Sequence, residues 1–296
     1  MKKICAYILL IALIFNITSC IRKVTTTSVE TDEYIYFENV EYGKNKRHYL
    51  DICVPKNKSG NVGVMLYIHG GGWISGDKEV YTDMLKENAE RGYITAALNY
   101  RYANGNRVTC EDILDDIQKS VEKIKSLAGE YNLNANKLML LGGSAGAHLA
   151  LMYAYTRAEA SSITPTAVVS YAGPTDLCDE NFYTTQYVDD IKEMISMISG
   201  VKLKRSSVSG NSEELLAASP IKYINEDCVP TLICHGKKDD VVPYSNAVAL
   251  DATLTMYGVE HDFISFPNSG HGLEADSEMS ELANELILEY AEMYIK

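Results

Sequence analysis

The sequence predicts an α/β domain in which a mostly parallel sheet is covered by helices on both faces. From residue 34 onward, short apolar runs alternate with segments whose apolar residues recur at helical spacing. The run GVMLYI at residues 63–68 is typical of a strand that is buried on both faces. The chain has 296 residues, 46% of them hydrophobic and 23% charged, which suffices for one large domain.

The individual elements are predicted in order along the chain. The domain opens with a hairpin of strands at residues 34–41 and 47–53, joined by a turn at residues 43–45. Further strands are predicted at residues 63–68, 94–99, 137–141, 167–171, 231–234 and 262–266. Helices are predicted at residues 79–91, 111–131, 145–155 and 244–257. The last helix places five large apolar residues on one face: Met279, Leu282, Leu286, Tyr290 and Tyr294.

One stretch, residues 177–219, interrupts this alternation of strands and helices. Four of its apolar residues share one helical face: Ile191, Met194, Ile195 and Ile198. The stretch is either a small lid inserted over a binding site or an ordinary packing helix with a long loop. The sequence leaves both interpretations open.

The first twenty residues have the pattern of an export signal. Two lysines precede an apolar run at residues 4–17, which is too short for a comfortable membrane span. The segment ITSC at residues 17–20 resembles a bacterial lipobox. This resemblance implies a lipoprotein-type signal peptide at residues 1–19 and lipid attachment at Cys20. The alternative is an ordinary signal peptide cut near Ser19.

The same resemblance implies a location, the bacterial cell envelope, to which the lipid anchors the protein. Ile21 rather than aspartate follows the cysteine, which resembles the pattern for the outer membrane where a host has two membranes. Residues 20–33 are largely polar and lack periodicity, so we expect them to form a flexible tether. Residues 34–296 then form a single folded domain.

Net charge and cysteine spacing argue against several classes of function. The formal net charge is −13 and no dense run of lysine or arginine occurs, so a nucleic-acid partner is not expected. None of the seven cysteines forms a CxxC pair, which argues against a zinc ribbon or a thioredoxin-type redox site. We expect no metal and no cofactor.

Two glycine-rich segments directly follow predicted strands. GGSAG at residues 142–146 lies between a strand and a helix, where the G-x-S-x-G motif places a nucleophile, here Ser144, in a strained turn. HGGGW at residues 69–73 brings bare backbone N–H groups close to a ligand oxygen, as an oxyanion hole requires. A phosphate cradle is disfavoured because no P-loop lysine follows these glycines. We assign three oxyanion donors: Gly71, Gly72 and Ala145.

A serine nucleophile needs a histidine base. His271 lies in a glycine-flanked loop after the last strand, at the same sheet edge as Ser144, and is the candidate base. The other histidines are not expected to act as the base. We expect His69 and His235 to brace loops and His148 to point along its helix. His48 and His261 lie in other parts of the predicted fold.

The base in turn needs an acid to orient it and to stabilise its charge. Asp239 and Asp240 compete for this role after the penultimate strand, and Asp239 is preferred. Asp176 is a third candidate, which we interpret as a loop brace or a pocket wall. The resulting chain order, serine then aspartate then histidine, is that of the α/β-hydrolase fold.

Several segments together resemble the bacterial esterases that are related to hormone-sensitive lipase and to small acetyl and feruloyl esterases. They are HGGGW, GGSAGAHLA, ASPIKYI, HGKKDDVVP and the final GHG. The resemblance runs from about residue 36 to the C-terminus. It implies that Asp239 is the triad acid, that His271 is the base, and that the assigned glycine and alanine amides form the oxyanion hole.

The expected function is therefore serine-dependent hydrolysis of short acyl esters through an acyl-enzyme, with acetylated or feruloylated carbohydrate as the suggested substrate. An exopeptidase or an aryl-formamidase-like amidase on the same fold is one alternative, since the triad does not distinguish ester from amide. A surface-anchored binding protein without activity is the other. The partners expected are a small-molecule or carbohydrate ester and, through the lipid, a membrane.

Overall fold

The computed structural model describes residues 25–203 and 212–296. The predicted signal peptide and Cys20 lie outside these residues. The strands are β1 (Thr27–Glu30), β2 (Tyr34–Glu41), β3 (Tyr49–Pro55), β4 (Gly60–Asn61), β5 (Val64–Ile68), β6 (Ile94–Leu98), β7 (Leu133–Asn134), β8 (Lys137–Gly143), β9 (Thr164–Tyr171), β10 (Thr231–Gly236) and β11 (His261–Phe266). The helices are α1 (Thr82–Glu90), α2 (Cys110–Glu130), α3 (Ala145–Thr156), α4 (Val188–Ser199), α5 (Ser212–Ala217), α6 (Ser245–Tyr257) and α7 (Ser277–Tyr290).

Within the described residues, the main sheet has nine strands in the order β1-β2-β3-β6-β5-β8-β9-β10-β11. The pairs from β1 to β6 are antiparallel, and all pairs from β6 to β11 are parallel. Strands β5 and β8 are neighbours, with Ile68 opposite Gly142. The glycine loop after β5 and the serine turn after β8 therefore leave the same sheet edge side by side.

Helices cover both faces of this sheet, and the side chains of β5 alternate between the two resulting cores. Val64, Leu66 and Ile68 pack into the larger core, to which α2, α3, α4 and α6 contribute. Met65 and Tyr67 pack into the smaller core beneath α1 and α7. Burial on both faces explains the unbroken apolar run at this strand and confirms the predicted fold class.

The structure corrects one part of the predicted tether. Residues 27–30 form β1, an edge strand that pairs antiparallel with β2. All four of its side chains are exposed, so the segment carries no apolar alternation that could mark it as a strand. It is held by backbone hydrogen bonds to β2, which depend on the partner strand rather than on side-chain type.

The inward face predicted for the last helix is largely confirmed. Tyr290 is buried, and three of the other predicted residues pack against the smaller core. Leu282 is the exception, since its side chain is 40% exposed, whereas Ala283 and Ile287 are buried. Alanine is too small to stand out in a pattern of large apolar residues. Within the two described ranges, no helix combines the length and apolarity needed to cross a bilayer.

The close approach of α3 to β5 yields a test of the fold. A Cβ atom built on Gly146 lies 2.0 Å from the backbone oxygen of Ile68, whereas one built on Gly129 in α2 has no neighbour within 4 Å. We expect Gly146→Ala to lower the free energy of unfolding by about 2 kcal/mol or more, because backbone must move. Gly129→Ala should instead raise it by up to about 1 kcal/mol, through helix propensity. Urea unfolding of both variants compares them, and equal stabilities would contradict this packing.

Candidate active site

Ser144 stands in a sharp turn between β8 and α3. Its backbone has φ of 54° and ψ of −122°, a strained conformation for a residue with a side chain. A Cβ atom built on Gly142 would lie 2.3 Å from backbone atoms of Gly146, so the turn closes because residue 142 is glycine, and the glycine at 146 lets the turn lie against the Ile68 oxygen of β5. The Ser144 amide donates to the oxygen of Tyr171 at 2.7 Å, which ties the turn to β9.

His271 lies within hydrogen-bonding distance of the serine. Its Nε2 is 2.9 Å from Ser144 Oγ. The loop that carries it is held by Asp276, whose Oδ2 accepts from the Ser269 hydroxyl at 2.6 Å and from the Asn268 amide at 2.9 Å. Nothing in the sequence singles out Asp276, because an aspartate before a helix is common as a helix cap.

Asp239 completes a hydrogen-bonded chain with these two residues. Its Oδ2 lies 2.8 Å from His271 Nδ1, and its Oδ1 accepts from the amides of Val241 and Val242 at 2.9 Å each. Nδ1 therefore donates to Asp239, which leaves Nε2 to accept the serine proton. The carboxylate itself is fully buried.

The two rival aspartates lie elsewhere. Asp240 is exposed, and its Oδ2 is 3.4 Å from Gln186 Nε2. Asp176 Oδ1 accepts from the Cys178 amide at 2.8 Å, within its own loop. The structure thus brings Asp239, rather than either rival, to His271, and Asp176 braces a loop.

A second histidine supports the acid. His235 is buried, and its Nε2 lies 3.2 Å from Asp239 Oδ2 and 3.0 Å from the oxygen of Val242. Burial by itself raises the pKa of Asp239, but hydrogen bonds from His235 and His271 lower it to about 2. The carboxylate is therefore charged throughout the neutral range. The sequence predicts only a turn brace at His235, because its contact with Asp239 depends on how the loop after β10 folds.

The glycine loop after β5 lies against the serine turn. A Cβ atom built on Gly70 would be 2.9 Å from the oxygen of Gly143 and 3.4 Å from Ser144 Cβ. The next two glycines have φ of 105° and 59°, values that favour glycine. In the part of the chain that the structure describes, no hydrogen bond uses the amides of Gly71 or Gly72. Ala145 begins α3, so its amide has no acceptor within the helix.

Two buried histidines hold this loop at its ends. His69 stacks on Tyr100 with ring centroids 4.3 Å apart, and its Nδ1 lies 2.8 Å from the oxygen of Gly70. His148 accepts from Trp73 Nε1 at 3.2 Å through Nδ1 and lies 2.7 Å from the oxygen of Ala218 through Nε2. Burial lowers the pKa of each histidine to about 4, so both are neutral braces.

The insertion at residues 177–219 reaches the same loop through α4. Ile191, Ile195 and Ile198 of this helix are buried in the larger core, as a packing helix requires. Met194 on the same helix covers the glycine loop, since a Cβ built on Gly72 would lie 2.1 Å from its sulfur. The helix therefore packs on the core and also forms a roof over part of the predicted oxyanion hole.

A cleft of about 690 Å³ opens beside Ser144 and His271 and continues between α1 and α7. This volume is within the range of pockets that enclose small organic ligands. Among the described residues, no three His, Cys, Asp or Glu side chains are grouped so as to hold a metal ion.

The strand order and the serine–histidine–aspartate chain together define an α/β-hydrolase fold with a serine triad arrangement. The chain belongs to the BD-FAE family, whose sequence profile matches residues 50–254.

Comparisons with individual proteins agree with this assignment. The probable carboxylic ester hydrolase LipM of Mycobacterium tuberculosis is 27% identical over 73% of this chain and 51% of its own length. The esterase LipQ of the same organism is 25% identical over 71% of this chain and 50% of its own. The chain thus spans about half the length of the curated relatives it matches.

Solved structures share the fold. A truncated carbohydrate esterase from gut microbiota superposes with a TM-score of 0.67 at 20% identity, covering 88% of this chain and 99% of that one. The esterase Est2 of Thermogutta terrifontis gives a TM-score of 0.65 at 23% identity, covering 86% and 91%.

The adjacent aspartates provide a matched test of the site. We expect Asp239→Asn to lower kcat for p-nitrophenyl acetate by about 10⁴-fold, because an amide does not hold the imidazole in the right tautomer. Asp240→Asn should change kcat by no more than about twofold, as an exposed substitution does. The opposite ranking of the two variants would assign the acid to Asp240.

Proposed function

We infer that this protein hydrolyses carboxylic esters, with Ser144 as the nucleophile. The observation that carries the inference is the chain of hydrogen bonds from Ser144 Oγ through His271 to the buried carboxylate of Asp239, with distances of 2.9 and 2.8 Å. Serine alone is a weak nucleophile at neutral pH, and this chain is the arrangement that activates it.

The geometry supports a two-step acyl transfer. His271 accepts the proton of Ser144 as its oxygen attacks the ester carbonyl, and Asp239 stabilises the imidazolium that forms. The amides of Gly71, Gly72 and Ala145 donate to the oxyanion. His271 then protonates the departing alcohol. Water, deprotonated by the same histidine, releases the acid from Ser144 and restores the serine.

The similar proteins support ester rather than amide chemistry. LipM and LipQ are named as a probable carboxylic ester hydrolase and an esterase, and a further relative from Arabidopsis thaliana is named as a probable isoprenylcysteine α-carbonyl methylesterase. An exopeptidase or aryl-formamidase-like activity would use the same triad, but no contact in the described residues favours it.

We propose carbohydrate esters as the natural substrates, with acetyl or feruloyl groups as the acyl part. Two structures of the same fold support this proposal, the gut-microbiota carbohydrate esterase and a bifunctional GH43-CE protein of Bacteroides eggerthii. The export signal is consistent with a substrate outside the cell.

We also propose that a lipid on Cys20 anchors the enzyme in the bacterial cell envelope, in the outer membrane where the host has two membranes. The support is the segment ITSC after an apolar run, followed by isoleucine rather than aspartate. The polar residues before β1 would then separate the folded domain from the membrane.

Replacement of the nucleophile tests the ester hydrolase proposal. We expect Ser144→Ala to lower kcat/KM for p-nitrophenyl acetate by about 10⁴-fold or more, and to abolish labelling by a fluorophosphonate probe. Ser126→Ala, at an exposed serine of α2, should still be labelled. Activity of Ser144→Ala near that of the wild type would end the assignment, and cleavage of peptide p-nitroanilides in preference to esters would favour an amidase. Acetylated xylan and feruloyl esters then test the carbohydrate proposal.

Replacement of the lipobox cysteine tests the anchor. In bacteria fed an alkyne fatty acid, we expect the full chain to be labelled and to sediment with membranes. Cys20→Ser should lose the label and leave the membrane fraction, because position 20 then has no thiol to which the lipid could be attached. Cys5→Ser, which removes the other cysteine of the first twenty residues, is the control and should keep the label. A label that persists in Cys20→Ser would refute the anchor.

A further inference from the structure

The cleft beside Ser144 is built from helix faces that point towards each other across a gap. On the α1 side, the lining residues are Met84, Glu87, Asn88 and Arg91, which follow helical spacing along one stripe. On the α7 side they are Ser280, Asn284, Ile287 and Leu288, again one stripe. Each helix thus turns part of one face to the cleft rather than packing that face against the other helix.

The sheet provides an apolar and aromatic floor to this cleft. The side chains of Tyr67, Leu141, Tyr171 and Phe266 come from four different strands and all lie on the face of the smaller core. The cleft is therefore apolar next to the nucleophile and becomes more polar towards its outer rim, where Arg91 pairs with Glu87 at 2.8 Å.

The length of the cleft follows from helix geometry. Both helices begin at the sheet edge that carries Ser144 and run away from it, as helices after parallel strands do. The lining positions on α7 run from Ser280 to Leu288, eight steps along the helix, which corresponds to about 12 Å at the helical rise. An extended octanoyl chain has a comparable length, and an acetyl group would fill only the part next to the serine.

One part of the rim, near the start of α1, is apolar where it meets solvent. Met84 lines the cleft and is 49% exposed, and Val80, one helical turn earlier, is 69% exposed. Large apolar side chains left exposed beside a pocket are typical of surfaces that contact an apolar ligand.

We propose that the cleft between α1 and α7 is the acyl subsite, and that among the acyl groups proposed above it selects elongated, largely apolar ones such as feruloyl over acetyl. This rests on the proposed ester hydrolysis. The acyl group remains bonded to Ser144 Oγ until water releases it, whereas the alcohol must depart after His271 protonates it. The cleft that begins at Ser144 therefore suits the acyl half, whose chain stays in place through both steps.

A series of p-nitrophenyl esters from acetate through butyrate to octanoate tests the selectivity of the wild type. We expect kcat/KM to rise by roughly tenfold or more from acetate to octanoate, because each methylene buried in the cleft adds favourable transfer free energy. A second series, of acetate esters of alcohols of increasing length, should show a weaker dependence. A fall in kcat/KM with acyl length, or a dependence confined to the alcohol series, would overturn the proposal.

Two neighbouring residues of α7 locate the effect in the cleft. Asn284 lines it, and Glu285 is exposed and does not. Asn284→Trp should fill the cleft and lower the octanoate-to-acetate ratio of kcat/KM by roughly tenfold, since the methylenes lose their site. Glu285→Trp should leave the ratio unchanged. Met84→Trp fills the cleft from the α1 side and should lower the octanoate-to-acetate ratio as Asn284→Trp does. The proposal therefore remains testable if one of the two variants folds poorly.

The outcomes separate this proposal from the hydrolase assignment. If acetate is hydrolysed in a Ser144-dependent way and the tryptophan variants leave the ratio unchanged, the hydrolase stands and the acyl subsite is refuted. If no ester in either series is hydrolysed, the hydrolase assignment fails as well.

Discussion

The site depends on the close contact between two backbone turns, the one after β5 and the one after β8. These strands are neighbours in the sheet, so their carboxyl ends lie about 5 Å apart, as paired strands do. Gly142 and Gly146 allow the serine turn to close, and Gly70 allows the glycine loop to lie against it. Side chains at these positions would separate the nucleophile from the amides predicted to stabilise its oxyanion.

Buried histidines stabilise the segments around this contact. His69 and His148 are held neutral by burial and fasten the glycine loop to Tyr100 and to the segment before residue 219. His235 instead faces a carboxylate and helps to keep Asp239 ionised. Buried histidines thus serve as neutral braces at positions 69 and 148, and as a hydrogen-bond partner of an acid at position 235.

The two faces of the sheet contribute different parts of the active site. On the face of the larger core, α4 brings Met194 over Gly72 and so encloses the predicted oxyanion hole. On the other face, α1 and α7 stand apart and leave the cleft that reaches Ser144. Chemistry and substrate selection therefore depend on different helices, which allows the cleft to vary without moving the triad.

Local patterns in the sequence determined most of the fold and the identity of the site residues. The unbroken apolar strand at residues 64–68, the helical spacing of α2, and the two glycine motifs each reflect a requirement of their own segment. Burial on both faces demands an apolar strand, and a tight turn beside a nucleophile demands glycine. Ser144 and His271 could be singled out because their flanking glycines follow predicted strands.

Only the tertiary structure decided the features that depend on a partner distant in the chain. The family resemblance already favours Asp239 over Asp240, but the contact itself follows from which carboxylate the loop turns towards His271. β1 is a strand because β2 offers it hydrogen bonds, and the inward face of α7 is set by the sheet beneath it. The gap between α1 and α7 exists only once both helices are placed on the sheet, because a cleft is a relation between surfaces and no single segment encodes it.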